Sequence, residues 1–282
     1  MALLVLAHPQ DETALRVYCA LRARYAPGRV RLISSDELVL APKWVHRVDA
    51  DAAATELSLA NGERLDSGAA TLVFNRIRYV SMPHFARARP ADRDYAVMEM
   101  HALLRSWLSS LPCPVVNRAT PSGLYGAERT VPEWLALAGR AGLPVRGFRF
   151  TTSPRRWPVS GYLPYAAGEG GSGAPLHPAL VGRSPVLYLE PTSGELRRVL
   201  VAGRHVAGDV PDHLKEACRR LRELSGSDLI ECRFERSAAR FGGPDQAWRF
   251  CGGDVFPEVL EEPGFTVLVE YLHRLEKGAA RE

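Results

Sequence analysis

Lysine is nearly absent from this chain. Lys43, Lys215 and Lys277 are the only three, so thirty-three of the 36 basic residues are arginine. None lies between Lys43 and Lys215, which excludes any chemistry that needs a central lysine. The arginine excess fits the codon usage of a GC-rich, bacterial genome. Long apolar runs are missing too. Met1–Ala7 is far too short to span a bilayer and has neither a basic flank nor a secretory cleavage site. The expectation is a cytoplasmic protein with no membrane partner. Cysteine is sparse: Cys19, Cys113, Cys218, Cys232 and Cys251 are odd in number, widely spaced and without a CxxC pair. They read as reduced, mostly buried thiols rather than a disulfide frame or a zinc site. Cys232 and Cys251 are expected to face each other across the last hairpin as neutral thiols. The histidines show no HxxxH spacing, and GxSxG is absent. Gly168–Gly173 follows no strand, precedes no helix and lacks Lys-Ser/Thr, so it reads as a flexible loop and not a phosphate cradle. No internal repeat is found.

What is present is ordinary globular material. The 282 residues, 46% hydrophobic and 24% charged, suit one large domain or two modest ones. The net charge of +4 is mild, and acidic residues accompany the arginines along the chain. No specific nucleic-acid partner is expected.

Periodicity gives an α/β chain. Leu3–Leu6 reads as a buried parallel strand, Asp11–Tyr25 as a helix capped by Asp11, and Arg29–Ile33 as a second strand. Asn61-Gly62 marks a tight hairpin within Leu57–Leu65. Thr71–Arg76 is a strand whose polar end, Asn75-Arg76, suits the ligand edge of an α/β sheet. Ala91–Leu111 is a helix with Tyr95, Met98, Ala102, Trp107, Leu108 and Leu111 as its expected apolar face, stopped by Pro112. Cys113–Arg118 is a short strand, and a helix from Val131 ends at Gly142. Ser153–Pro185, rich in proline and glycine, reads as a flexible segment. Val186–Glu190 and Leu196–Ala202 are expected to form one hairpin, Leu229–Phe234 and Ala247–Cys251 another. Helices at Asp212–Leu224 and Phe265–Glu276 end at Gly226 and Gly278.

Ala7-His8-Pro9-Gln10-Asp11-Glu12 resembles the AHPDDE box of zinc-dependent N-acetyl-sugar deacetylases. Gln10 stands where that family has its general base, and glutamine accepts no proton at neutral pH. The family's second motif is also missing, so the segment reads as a strand-to-helix turn.

A broader resemblance begins at Glu190-Pro191-Thr192-Ser193-Gly194-Glu195-Leu196-Arg197-Arg198-Val199-Leu200-Val201-Ala202-Gly203. This stretch resembles the hinge and following strand of ATP-grasp ligases. Phe74-Asn75-Arg76, Pro114–Arg118 and Trp134–Thr152 resemble the upstream domain of the ribosomal-protein glutamate-ligase branch, so the likeness runs along nearly the whole chain in order. It implies an α/β fold with a preATP-grasp-like domain at residues 1–117. A reduced α+β ATP-grasp-like domain at 118–282 would follow, with 153–185 as a flexible loop replacing the nucleotide-covering lobe. It assigns Glu190 to the adenine and ribose, Arg198 to phosphate or acyl-phosphate oxygens as the catalytic candidate, and Arg233 to the cofactor site. Glu231 and Asp254 fall at the magnesium positions.

The departures matter as much. The family holds phosphates with two lysines in the interval Ser153–Pro185, where this chain offers only Arg155, Arg156 and Arg183. Glycine stands in place of a metal-binding glutamate, and Arg233 sits beside the supposed magnesium. The resemblance therefore implies a degenerate homologue with no cofactor and no independent ligase activity. It would be an accessory or binding subunit with a protein or peptide partner, in peptide or amino-acid modification, with a homodimer allowed. Two alternatives stay open. One is a working ATP-dependent carboxylate–amine ligase using ATP and magnesium, with Asp254 and Glu231 or Glu258 as metal ligands. The other is a small-molecule-binding protein. Alternation along the strand puts Arg198 on one face with Leu200 and Ala202; if the family's cleft survives, Arg198 should point into it, near Arg233 and Asp254, rather than out to water.

Overall fold

The computed structural model describes residues 2–66, 68, 70–152, 161–166, 186–191, 194–236, 248–259 and 261–278. They form two compact units, residues 1–127 with 258–282 and residues 128–257. The sequence placed a boundary after Asn117; the first unit runs on to Ala127 and takes back the C-terminal helix.

The first unit opens with strand β1 (Ala2–Ala7), helix α1 (Glu12–Arg22), strand β2 (Val30–Ser34) and the short helix α2 (Ser35–Val39). A small antiparallel sheet follows from β3 (Lys43–Val48), β4 (Ala53–Ser58) and β5 (Arg64–Asp66). Strand β6 (Ala70–Arg76), helix α3 (Pro90–Ser110) and strand β7 (Val115–Val116) complete the run. The parallel sheet has order β2-β1-β6-β7. Every residue of β1 is buried, as expected of a central parallel strand covered on both faces. Asp11 caps α1 by accepting from the Ala14 amide at 2.9 Å. The Asn61-Gly62 turn sets Leu57 opposite Leu65, with Gly62 at φ +85°, a conformation that favours glycine.

Two expectations change here. Asn75 and Arg76 are not a ligand edge: they are buried braces. Asn75 donates to the carbonyls of Asn117 (3.2 Å) and Leu124 (2.6 Å), and Arg76 pairs with Asp11 at 2.7 Å. The expected apolar face of α3 is wrong in its first half, where Tyr95 and Met98 are 64% and 69% exposed. Leu104 enters the core alongside the expected Trp107, Leu108 and Leu111, with Val97 and Met100 packed against it. Pro112 stops this helix as expected, and Arg118 donates to the carbonyls of Ser109 and Cys113 at 2.9 Å each, satisfying backbone acceptors that the helix end leaves without partners.

The second unit contains helix α4 (Val131–Arg140), strands β8 (Phe148–Thr151), β9 (Leu163–Ala166), β10 (Val186–Leu189), β11 (Glu195–Ala202) and β12 (His205–Ala207). Helix α5 (Asp212–Ser225) and strands β13 (Leu229–Arg236) and β14 (Trp248–Asp254) follow, and helix α6 (Gly264–Glu276) returns to the first unit. The strands make two antiparallel sheets, β8-β10-β9 and β12-β11-β13-β14. The expected hairpin between Val186–Glu190 and Leu196–Ala202 is therefore absent: β10 pairs with β8 and β9, and β11 with β12 and β13. Part of the supposed flexible loop is a strand, since β9 lies within 153–185. The glycine-rich run Gly168–Gly173 and Arg155, Arg156 and Arg183 fall outside the described residues.

Helix α5 ends as expected at Gly226, which is left-handed at φ +67°. Its buried face, Leu214, Ala217, Cys218 and Leu221, packs on β11 and β13. Gly253 has no room for a side chain: a Cβ there would sit 2.7 Å from the Trp134 ring of α4. Cys232 and Cys251 do not face one another. A bulge after Arg233 makes Cys251 an extra residue, and Cys232 opposes Gly253. A hydrogen bond with Cys218 and complete burial push the Cys232 thiol well up, and burial pushes Cys251 up to about 11. Both are neutral thiols, with different neighbours from those expected.

Candidate functional site

Strand register builds the site. In the antiparallel ladder Arg198 lies opposite Arg233, and Leu200 opposite Glu231. On the other side of β13, Glu231 lies opposite Asp254, and Arg233 opposite Gly252. Directly paired residues share a sheet face, so Arg198, Glu231, Arg233 and Asp254 all project from one side. Cys232, reaching Cys218 of α5, marks the other side. Four of the residues singled out in the sequence thus share one sheet face.

Their pairing is tight. Arg233 donates from Nε to Glu231 Oε1 at 2.7 Å and from Nη2 to Asp254 Oδ2 at 3.0 Å. Arg198 Nη1 stands 3.7 Å from Glu231 Oε2. The Glu231 side chain is 5% exposed, that of Arg233 35%, and that of Arg198 67%. Arg198 is therefore an outer partner of the cluster, on the expected face but, against expectation, open to water rather than enclosed in a cleft. Burial works against the charge on Arg233. The hydrogen bond and charge of Glu231, then those of Asp254, outweigh it and hold this guanidinium charged even more firmly than usual. Asp254 is further fixed by accepting from the Phe256 amide at 2.8 Å.

Glu190, just past β10, is also engaged. Its carboxylate accepts from Arg249 Nη1 (2.8 Å), the Gly147 amide (3.2 Å) and the Tyr162 hydroxyl (3.4 Å). Its amide donates to the Gly147 carbonyl at 3.1 Å, and its carbonyl accepts from Arg146 Nε. Gly147 permits this closeness, because a Cβ there would lie 2.6 Å from Glu190 Cδ. Sequence reasoning missed Arg146, Gly147, Tyr162 and Arg249. The one legible signal was Arg249, a charge between the apolar Trp248 and Phe250 of a strand.

His8 makes no metal site. Its Nδ1 meets Ser35 Oγ at 3.1 Å, and its Nε2 accepts from the amides of Arg78 (3.2 Å) and Tyr79 (3.4 Å). Both ring nitrogens are thus occupied, and burial lowers its pKa despite Asp11 and Asp36 nearby. Among the described residues no group of three His, Cys, Asp or Glu is placed to hold a metal ion.

No protein family and no curated protein matches the chain by sequence. Solved structures do. The macrocyclase MdnC from Microcystis aeruginosa MRC, bound with precursor peptide MdnA, superposes with a TM-score of 0.76 at 13% identity, over 98% of this chain and 100% of that one. The ATP-grasp ligase PsnB, complexed with a minimal precursor, gives 0.71 at 18% identity over 97% and 98%. A RiPP-associated ATP-grasp ligase from Chryseobacterium gregarium, in complex with ADP and a leader and core peptide, gives 0.68 at 13% over 99% and 96%. This is the ATP-grasp fold.

Within the ATP-grasp fold, the residues at the expected magnesium positions do not fit the ion. Magnesium takes carboxylate oxygens at about 2.0–2.1 Å and keeps several waters. Glu231 and Asp254 each already give an oxygen to Arg233. A divalent cation there would meet a fixed guanidinium within a few ångströms, at a cost of several kcal/mol even with an effective dielectric near ~20. The third candidate, Glu258, is exposed and belongs to the first unit.

Proposed function

We propose that this chain is a degenerate ATP-grasp protein without independent ligase activity, a cytoplasmic accessory or binding subunit in peptide modification. One observation carries the reading: the Arg233 guanidinium binds both carboxylates that the fold would turn toward magnesium. The sequence supports it, since no lysine lies between Lys43 and Lys215 to hold nucleotide phosphates. Glu190 supports it as well, because a nucleotide there would have to displace bonds already made to Gly147, Tyr162 and Arg249. The peptide partner follows from fold-level analogy, MdnC and PsnB having been solved with precursor peptides. No described helix is long and apolar enough to cross a membrane, which agrees with the cytoplasmic assignment.

A second reading, an active carboxylate–amine ligase using ATP and magnesium, is favoured by the sheet β8-β10-β9. It shows that the interval before the hinge is more than a loop. Calorimetric titration of the full chain with ATP and magnesium separates the two. The degenerate reading expects no magnesium-dependent binding tighter than millimolar. Micromolar binding, about −8 kcal/mol, would overturn it and select the ligase.

A further inference from the structure

His8 stands where the parallel sheet divides. In the order β2-β1-β6-β7 the chain leaves β1 for β2 on one side and comes back to β6 on the other. Open α/β sheets take ligands in the crevice at such a point, beyond the carboxyl ends of the strands. Here the chain itself occupies it. The ring of His8, the residue just past β1, stacks on Tyr79 with centroids 4.1 Å and planes 23° apart. Arg78 and Tyr79 follow β6 and are exposed, between the buried Ile77 and Val80. Their two amides donate to a single acceptor, His8 Nε2, at 3.2 and 3.4 Å. An atom that accepts N–H groups carries no proton, so the ring's one hydrogen sits on Nδ1 and is donated to Ser35 Oγ at 3.1 Å. Ser35 Oγ in turn donates to Asp36 Oδ1 at 3.5 Å.

We propose that His8 is an acid-released latch: neutral, it ties the Arg78-Tyr79 segment to the end of β1, and protonated, it lets that segment go. Protonation puts a hydrogen on Nε2, which then faces two N–H groups with no lone pair to offer. Both amides lose their partner in one step. Three other charged groups act on the ring. Asp11 at the start of α1 and Asp36 in α2 favour the imidazolium, and Arg76 at the end of β6 opposes it. Burial outweighs the two acids and holds the ring below its ordinary pKa. Asp11 is itself paired with Arg76. The latch therefore holds in full above about pH 6.5, the ordinary histidine value that the opened segment restores. Its contribution is lost as the pH falls through the lower, latched value. Ile77 and Val80 stay in the core, so the release is local: Tyr79 swings off the ring and the crevice opens. The device lies within the first unit and is independent of the nucleotide question.

Hydrogen exchange of the Arg78 and Tyr79 amides tests the latch. It is followed in the full chain by nuclear magnetic resonance from about pH 8 to about pH 5, with the intrinsic pH dependence of exchange divided out. Between the open and latched pKa values, each unit of acidification should raise the opening constant of these two amides about tenfold. The amides of β1 should keep their protection. His8→Gln should leave the two amides protected and their protection independent of pH, because Oε1 of glutamine accepts an N–H but takes no proton. Should that variant fail to fold, the ring nitrogens of the native chain decide: Nε2 should be bare at neutral pH and gain its proton as the amides open. Protection of the two amides that does not change with pH in the native chain overturns the proposal. So does a His8 protonated at Nε2 at neutral pH, or undiminished acid release in His8→Gln.

Discussion

Arg76→Met is expected to lower the unfolding free energy by about 3–5 kcal/mol, the usual cost of removing one partner from a buried ion pair. The Arg76 and Asp11 side chains are 3% and 7% exposed, so the Asp11 charge left behind would have little water to turn to. It would still accept from the Ala14 amide, which keeps the loss at the lower end of that range. Adding Asp11→Asn should recover much of it, since asparagine still caps α1 and carries no charge. Urea denaturation of the native chain and the two variants measures this. A loss under about 0.5 kcal/mol, the size of an ordinary surface substitution, would show that the pair does not brace the end of the parallel sheet.

Arg233→Leu has the next largest expected effect, about 2–4 kcal/mol. It strands Glu231, the most buried of the four cluster side chains, and releases Asp254. The cost is smaller than at Arg76 because the Arg233 and Asp254 side chains are 35% and 29% exposed and Arg198 stands near Glu231. Glu231→Leu combined with Arg233→Leu should regain most of the loss, because replacing both charges with packed apolar groups is often neutral. Failure of the double variant to improve on the single would mean that Arg233 contributes through packing rather than by neutralising Glu231.

Much of this architecture is legible in the residues themselves. Asp11, Asn61-Gly62 and Gly226 fix their caps and turn through local backbone chemistry, and each stands where expected. The site face was legible because antiparallel alternation needs only the strand positions of Arg198, Arg233 and Asp254. What was not legible depends on distant partners. The pairing of β10 with β8 and β9 joins segments separated by proline- and glycine-rich sequence, so no local turn announces it. Arg76 reads as a ligand-edge residue until Asp11, across the β1–α1 turn, is set against it by the parallel register. On α3, apolar residues fall on two sides of the helix, and periodicity alone could not say that Leu104 rather than Tyr95 faces the core. The expected thiol pairing failed because register between distant strands decides it: Cys232 opposes Gly253, and Cys251 sits in the bulge.

The central claim is that Arg233 has taken the place of a metal ion between Glu231 and Asp254. Electron paramagnetic resonance of manganese, titrated into the full chain with ATP present, tests it most directly. The account predicts a spectrum unchanged by the protein, every manganese ion being free or on nucleotide in solution. A protein-bound manganese signal that disappears in Asp254→Asn would contradict it.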